Sequence, residues 1–257
     1  MTRLRQRIAF GPIKSRRLGN SLGINLLPIN GKVCTFDCIY CECGWNKNGT
    51  KNHTFPKLSE VKEEMKAYFV NLNEKNIPVD TITFSGNGEP TLHPEFPQII
   101  DYTLEMRDKY FPKAVVSVLS NSTTLDNKEI RNALRKIDNP ILKLDSGDQD
   151  FLNLMNNPQK EFSLEKLIHN LSLFEGNFIL QTMFLKGKYK GKYIDSADPI
   201  LTKKWIDIVL KLHPKLVQVY TIARDTPAKE LEKISEEKMY QITEPLRTHG
   251  IKVQIAG

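Results

Sequence analysis

The stretch Cys34-Thr-Phe-Asp-Cys38-Ile-Tyr-Cys41-Glu-Cys43 contains every cysteine of the 257-residue chain. Thiolates separated by three and then two residues can converge from one tight loop onto three corners of a cubic iron–sulfur cluster, because cysteine is the usual ligand of such clusters. The fourth iron would then have no protein ligand. The spacing therefore favours a cluster bound by Cys34, Cys38 and Cys41. Cys43 would then be a spectator thiol, with donation of hydrogen or protection of the cluster as its alternatives.

Zinc and disulfides are the two other uses of such cysteines. A structural zinc site normally takes two pairs of ligands, each pair a few residues apart, whereas only Glu42 separates Cys41 from Cys43 and no histidine lies close. Disulfides inside so short a stretch would cross-link nothing else in a chain of this length. Zinc remains the alternative occupant, and a disulfide framework is the weakest of the three.

The elements on either side of the cysteine loop are predicted from apolar patterns. Residues 21–27 form a mostly apolar run that ends at Pro28, which predicts a buried strand. Residues 45–56 are polar and predict an irregular connection. A helix should follow, because apolar residues then recur at helical spacing on one face: Leu58, Val61, Met65, Tyr68, Phe69 and Leu72.

Further apolar runs rich in strand-forming residues alternate with helix signals. Asp126 with Glu129, Asp198 before Pro199, and Ser235 before two glutamates predict helix starts. A last apolar run, residues 251–255, predicts a seventh strand or an extension of the sheet. The other five predicted strands are residues 81–85, 114–119, 141–144, 178–184 and 216–221.

Alternation of this kind predicts the fold class, α/β. Continuous apolar strands separated by helices favour a parallel sheet with helices on its outer face. Six units are fewer than the eight of a closed barrel, so we predict a partial (β/α)6 TIM-like barrel with the cysteine loop after its first strand. An open doubly wound sheet is the alternative.

Composition predicts one domain over residues 1–257, with a short basic segment at about residues 1–20. The chain is 40% hydrophobic and 26% charged, as in ordinary globular proteins. No apolar run is long enough for a membrane span or a secretory signal, and the cysteine usage suits a reducing compartment, so we expect no membrane partner and a cytoplasmic location. The net charge is +7, and a solvated basic surface or an anionic partner such as RNA would explain the early cations Arg3, Arg5, Arg7, Lys14, Arg16 and Arg17.

A glycine-rich segment, Ser85-Gly-Asn-Gly-Glu-Pro90, follows the second predicted strand. Ligands of parallel α/β folds lie beyond the carboxyl ends of the strands. Gly86 and Gly88 would let the backbone approach a ligand closely, and an ionised Glu89 could accept a hydrogen bond from an ammonium group. The alternative is a glycine-rich turn that carries a surface glutamate.

The cysteine spacing with Tyr40 directly before Cys41, together with Gly88-Glu-Pro90, resembles the radical S-adenosylmethionine (radical SAM) superfamily. The resemblance implies a [4Fe–4S] cluster on Cys34, Cys38 and Cys41, whose open iron binds S-adenosylmethionine. One electron, supplied by a reductant such as flavodoxin or ferredoxin, would then release a 5′-deoxyadenosyl radical. It also implies the (β/α)6 barrel.

The same resemblance assigns further residues to S-adenosylmethionine. Glu89 would contact its amino group, Tyr40 would lie near its adenine, and Asn121 and Asp145 would hold its ribose hydroxyls or carboxylate. Loop residues that cap the next helix are the alternative for Asn121 and Asp145. Four residues at the later strand ends could face a substrate: Gln181, Lys186, Tyr220 and Arg224.

Longer stretches, among them residues 10–25 and 217–224, resemble Fe–S oxidoreductases related to the tRNA wyosine-synthesis enzymes. Wyosine-synthesis enzymes carry a second cysteine set, which this chain lacks. The sequence thus predicts a radical SAM enzyme of unknown substrate, with RNA as one expectation. A noncatalytic iron–sulfur or zinc module that binds RNA, and a protein that only transfers electrons, are the alternatives.

Overall fold

The computed structural model describes residues 4–15, 17–46 and 54–257, so that Arg3, Arg16 and part of the predicted connection 45–56 lie outside the described residues. Within these ranges no helix is both long and apolar enough to span a membrane. The strands are β1 (Ala9–Ser15), β2 (Gly19–Ile24), β3 (Thr81–Phe84), β4 (Val115–Ser120), β5 (Asn139–Lys143), β6 (Ile179–Met183), β7 (Leu185–Tyr189), β8 (Lys192–Asp195), β9 (Leu216–Tyr220), β10 (Glu230–Lys233) and β11 (Val253–Ala256). The helices are α1 (Leu58–Glu74), α2 (Phe96–Tyr110), α3 (Lys128–Lys136), α4 (Gln149–Asn156), α5 (Leu164–Ser172), α6 (Pro199–Leu212) and α7 (Glu236–Thr248), with a one-turn 3₁₀ helix at Pro90–Leu92.

The main sheet is mostly parallel, as predicted. Its eight described strands run in the order β1-β2-β3-β4-β5-β6-β9-β11. All neighbours from β2 onward are parallel, and only β1 is antiparallel to its neighbour β2. The last apolar run does form a seventh parallel strand, β11.

The sheet is curled into a half-barrel. Arg17 precedes β2 and Tyr220 ends β9, and four strands lie between β2 and β9. In a flat sheet five strand spacings would separate the two by about 24 Å, yet the Arg17 guanidinium carbon lies 4.6 Å from the centre of the Tyr220 ring. The partial barrel is therefore confirmed, and the open doubly wound sheet is excluded.

The two faces of the curled sheet differ in polarity. Helices cover the convex face, where α1 buries Val61, Met65, Phe69 and Leu72 as its periodicity predicts. On the concave face, side chains of neighbouring strands form hydrogen bonds, at 2.8 Å between Ser21 and Thr83 and at 3.1 Å from Gln181 to Gln218. A closed barrel fills this space with apolar layers, whereas here the concave face is polar and can hold a polar ligand.

Two of the three predicted helix starts are confirmed. The Asp198 side chain accepts hydrogen bonds from the first turn of α6, and the Ser235 side chain does so for α7. The prediction for Asp126 is wrong, because Asn127 is the N-cap of α3 and accepts from the backbone of Glu129 at 2.8 Å. Asp126 instead pairs with Lys166 at 2.7 Å.

A second, antiparallel sheet of order β10-β7-β8, which the sequence did not predict, packs on the cysteine loop. The Ala228 backbone N–H, just before β10, donates to the Ile39 carbonyl at 3.1 Å. The rings of Trp45 and Tyr189 stack with centres 6.4 Å apart. This small sheet therefore covers one side of the loop.

Candidate functional site

The cysteine loop is fixed by backbone hydrogen bonds to two neighbouring segments. On one side, the Val33 N–H donates to the Asn87 carbonyl at 2.8 Å, and the Glu89 N–H donates back to the Val33 carbonyl at 3.0 Å. On the other, the Ile39 N–H donates to the Met155 carbonyl, near the end of α4, at 3.0 Å. A loop without regular structure of its own is thereby held in one conformation.

Gly88 and Gly86 are required by this close packing. Gly88 has φ +136°, and a Cβ there would lie 1.9 Å from the Val33 carbonyl oxygen. A Cβ at Gly86 would lie 2.2 Å from the Asn25 side-chain oxygen. Both glycines line the same cavity as the cysteines, and their place beside a ligand stays a prediction.

All four cysteines are free thiols on one cavity of about 450 Å³, a volume typical of small-molecule sites. The Asn121 amide donates to the Cys34 sulfur and the Asn156 amide to the Cys38 sulfur, each at 3.4 Å. In the described part of the chain, no three His, Cys, Asp or Glu side chains are grouped closely enough to hold a single metal ion.

A buried lysine, Lys32, faces the cysteines. Its ammonium donates to Asp37 and to the Gly44 carbonyl, both at 3.1 Å. Burial alone would lower the pKa of Lys32, but the charges of Cys41 and the other thiols outweigh it and raise that pKa. The hydrogen bond with Cys43, together with the charge of Lys32, lowers the pKa of Cys41 to about 6. Negative charge is therefore stabilised on the Cys41 sulfur, whereas burial raises the pKa of Cys34 and the pKa of Cys38.

Glu89 is a buried carboxylate with a fixed orientation. It caps the 3₁₀ helix by accepting from the Thr91 N–H at 3.2 Å and from the Thr91 hydroxyl at 2.6 Å, and it accepts from the Asn121 N–H at 2.6 Å. Burial raises the pKa of Glu89, against the opposing effect of these hydrogen bonds. Glu89 and Asn121 lie side by side on the cavity wall, as the strand-end argument predicted.

Asp145 lies behind the cavity and not on the described part of its lining. It accepts hydrogen bonds from the Tyr40 hydroxyl, from the Asn156 amide at 2.7 Å and from the Met183 N–H at 2.9 Å. Its observed contacts hold Tyr40, which does line the cavity, and its direct contact with a ligand stays a prediction. Burial and the charge of Asp145 raise the pKa of the Tyr40 phenol, which therefore stays protonated as the donor.

The far end of the cavity is formed by later strands. Gln181, Tyr220 and Arg224 line it as predicted. Lys186 is not among the described lining residues, and it faces Glu232 of the small sheet at 3.6 Å.

Five residues of the described site were not predicted as site residues: Arg17, Lys32, Asn87, Lys143 and Asn156. Lys143 lies near the end of the predicted strand 141–144 and Asn87 lies between the two glycines, so the strand-end argument could have found both. The other three gave no such signal, and Arg17 was singled out only as one of the early cations.

Cys34, Cys38 and Cys41 thus line one cavity together with Glu89 and Asn121. A family model described as the radical SAM superfamily matches residues 31–187. The chain belongs to the radical SAM superfamily. Membership implies an iron–sulfur cluster and S-adenosylmethionine as cofactors. The matched residues include the cysteine loop, Glu89 and Asn121, all of which line the cavity.

Curated relatives cover most of this chain. A protein named GTPase Obg from Brachyspira hyodysenteriae is 33% identical over 243 residues, which are 93% of this chain and 33% of that protein. The chain thus spans one third of the length of this relative. A UPF0026 protein of Helicobacter pylori strain J99 is 30% identical over 90% of this chain and 71% of its own length.

Solved radical SAM structures share the fold. A radical SAM methyltransferase from Sphaerobacter thermophilus has a TM-score of 0.66 at 13% identity, over 92% of this chain and 65% of that chain. Streptococcus suis SuiB bound to S-adenosylmethionine has a TM-score of 0.61 at 13% identity, over 92% and 51%. Archaeal TYW1 has a TM-score of 0.55 at 14% identity, over 89% and 71%. At these identities the likeness shows the fold alone.

The donor set of the cavity fits both cofactors. Three free thiols with amide donors on two sulfurs and a buried lysine beneath them suit a cluster that carries negative thiolates. A buried, oriented carboxylate at Glu89 suits an ammonium group.

Proposed function

We propose that this protein is a radical SAM enzyme whose cysteine loop holds a [4Fe–4S] cluster and whose cavity binds S-adenosylmethionine beside it. The observation that carries the proposal is that Cys34, Cys38 and Cys41 share one cavity with Glu89 and Asn121. Neither an RNA-binding module nor a simple electron carrier needs a buried carboxylate facing its cluster loop. When bound, the cluster and S-adenosylmethionine supply a 5′-deoxyadenosyl radical after transfer of one electron.

The chain's own residues then bind and orient the cofactors. Cys34, Cys38 and Cys41 would each ligate one iron, and Glu89 would receive the ammonium group. Asn121 positions Glu89 through its backbone N–H and Cys34 through its amide. The loop, α4 and the small sheet pack into one apolar cluster, which would shield one side of a bound cluster.

The partner that the proposal requires is a one-electron reductant such as flavodoxin or ferredoxin. RNA is proposed as a substrate class for two reasons. The N-terminal segment is basic, and the sequence resembles proteins related to the wyosine-synthesis enzymes. A modified nucleoside within RNA would be the target.

Reductive cleavage tests the proposal directly. Anaerobically reconstituted protein with dithionite should convert S-adenosylmethionine into methionine and 5′-deoxyadenosine, measured by liquid chromatography and mass spectrometry. Cys38→Ala should abolish the product, because no cluster remains to pass the electron. Wild-type protein with a full complement of iron and sulfide that yields no more product than Cys38→Ala would reject the enzyme in favour of a binding module.

A further inference from the structure

Most of the charged side chains that line the cavity are basic. Among the described lining residues only Glu42 and Glu89 are acidic, whereas six are basic: Arg5, Lys14, Arg17, Lys32, Lys143 and Arg224. Several of the basic groups have an acidic partner. Lys32 pairs with Asp37 at 3.1 Å, and Arg224 pairs with Glu42. Arg17 and Lys143, the latter paired with Asp145 at 3.4 Å, both place their charge over the Tyr220 ring.

Arg17 is the basic residue whose hydrogen bonding is incomplete. Its guanidinium stacks on the Tyr220 ring at 4.6 Å, and its Nη1 atom is buried without a hydrogen-bond partner in the described residues. A buried donor without a partner costs free energy, more so when it is charged. A ligand in the cavity that accepts this hydrogen bond would remove the cost.

Lys143 brings a second positive charge to the same tyrosine. Its ammonium donates to the Tyr220 hydroxyl at 2.7 Å and lies 3.4 Å from Asp145. Asp145 already accepts hydrogen bonds from Tyr40, Asn156 and the Met183 backbone, so its charge is shared among several donors. Because the Tyr220 oxygen accepts from Lys143, the hydroxyl hydrogen is directed elsewhere.

S-adenosylmethionine does not match this end of the cavity. It carries a sulfonium and an ammonium against one carboxylate at neutral pH, so its net charge is positive. Its ammonium is expected at Glu89, after β3, and its one carboxylate is bonded to the same carbon, so both are expected at that strand end and not at Tyr220, the last residue of β9. An anionic ligand other than S-adenosylmethionine would match the charges of Arg17 and Lys143.

We propose that Arg17, Lys143 and Tyr220 form a binding site for a phosphate group of the substrate. A planar guanidinium, an ammonium and a hydroxyl offer several donors and two positive charges, which suit the oxygens and charge of a phosphate. The polar concave face next to it, with Gln181 and Gln218 hydrogen-bonded at 3.1 Å, suits the rest of a polar molecule. This inference rests on the proposed function, since it names the substrate class of the same cavity.

The test is titration calorimetry of inorganic pyrophosphate into cluster-loaded, unreduced protein saturated with S-adenosylmethionine. Arg17→Gln and Lys143→Gln should each weaken binding about tenfold to a hundredfold, as expected for loss of a charge-assisted hydrogen bond. Arg17→Lys should retain part of the pyrophosphate affinity, because it keeps the positive charge. It should not retain all of it, because it loses the paired N–H donors of the guanidinium. Tyr220→Phe, which keeps the ring, gives a milder second variant.

Arg247→Gln is the matched control, since Arg247 also stacks on a tyrosine, at 3.7 Å from the Tyr240 ring, but on α7. It should bind pyrophosphate like the wild type. Equal pyrophosphate affinity in wild type and Arg17→Gln would overturn the site. The affinity of Arg17→Gln for S-adenosylmethionine is measured by equilibrium dialysis. A loss of that affinity would also overturn the phosphate site, because Arg17 would then belong to the cofactor site.

Two further titrations identify the source of the phosphate. Uridine 5′-monophosphate binding that depends on Arg17, with no binding of uridine, indicates a small phosphate ester. Arg17-dependent binding of a ten-nucleotide RNA without binding of the monophosphate indicates an RNA backbone. Binding of neither contradicts the proposal. None of these titrations needs reductant, so their failure is distinct from a failure to cleave S-adenosylmethionine.

Discussion

Cys41 and Cys43 lie one residue apart, and their surroundings differ. The Cys43 sulfur lies within hydrogen-bond distance of the Gly86 carbonyl, at 3.1 Å, and the neighbouring Cys43 thiol lowers the pKa of Cys41. An iron ion deprotonates a coordinating thiol outright, so Cys41 does not need Cys43 once metal is bound. We expect Cys34→Ala, Cys38→Ala and Cys41→Ala each to lose most iron and sulfide after anaerobic reconstitution.

Cys43→Ala is the control for those three variants and should keep the full iron and sulfide content. Zinc in place of iron, or loss of the cluster only in Cys43→Ala, would contradict the ligand assignment. Because all four variants change a thiol of the same loop to a methyl group, a difference between them reports ligation and not general damage.

The charge of Glu89 can be tested with an isosteric substitution. Glu89→Gln loses the negative charge and keeps only one of the two oxygens that accept from Thr91 and Asn121, because the amide NH2 group cannot accept. S-adenosylmethionine should bind more weakly by about 1.5–3 kcal/mol, the usual contribution of a charge-assisted hydrogen bond. Equilibrium dialysis on cluster-loaded protein measures it.

The exposed Glu244 on α7, paired with Arg247, offers a control of the same chemistry in Glu244→Gln. Its affinity should equal that of the wild type. If Glu89→Gln also binds S-adenosylmethionine like the wild type, then the charge of Glu89 has no part in binding and Glu89 serves the turn alone.

At the residue scale, the sequence predicts site residues that can bind a ligand through their side chain and that also follow a predicted strand. Cys34, Cys38, Cys41 and Glu89 are of this kind, and all four line the cavity. Asn156 and Arg17 are not, because their contacts with Cys38 and Tyr220 join residues 118 and about 200 positions apart. Such pairings depend on how far the sheet curls, which no local pattern reports.

At the scale of elements, the turn between β3 and α2 depends on Gly88. Its φ of +136° is unfavourable for a residue with a Cβ, and that Cβ would overlap the Val33 carbonyl. Gly191 has φ +74° with open space around it, so Gly191→Ala should cost only the backbone strain, about 1–2 kcal/mol. Gly88→Ala should destabilise more than that and should bind less iron. Denaturant unfolding and iron analysis measure the two effects.

Equal destabilisation by Gly88→Ala and Gly191→Ala, with full iron content in both, would contradict this role. It would mean that the loop and the turn separate at little cost. The comparison is sensitive because both substitutions add one methyl group at a positive φ.

The elements that the sequence predicts are those whose buried residues form an apolar run or an apolar helical face. The parallel strands are covered by helices on one face, and their apolar runs predicted each of them within a few residues. Strands β7, β8 and β10 were missed because they alternate lysine, glycine and glutamate with few apolar residues. Their pairing is fixed by packing on the cysteine loop, which is a tertiary effect.

At the scale of the whole molecule, two apolar clusters stabilise different parts. The larger lies between the main sheet and its helices, and it includes Leu134 of α3. The smaller joins the cysteine loop, α4 and the small sheet, and it includes Ile39 and Ile194. The main fold is thus stabilised mostly apart from the loop, and the loop depends on the smaller cluster.

Truncating one side chain in each cluster separates the two roles. Ile194→Ala and Leu134→Ala each remove a buried branched side chain, which typically costs about 2–5 kcal/mol. Leu134→Ala should lower the midpoint of global unfolding and leave the iron content of the folded protein unchanged. Ile194→Ala should instead loosen the small sheet, so that amide hydrogen exchange rises in residues 36–40 and 185–195 and iron is lost below the unfolding midpoint. Iron loss that coincides with global unfolding in both variants would mean that the two clusters unfold as one unit, and the loop would then owe its conformation to the half-barrel itself.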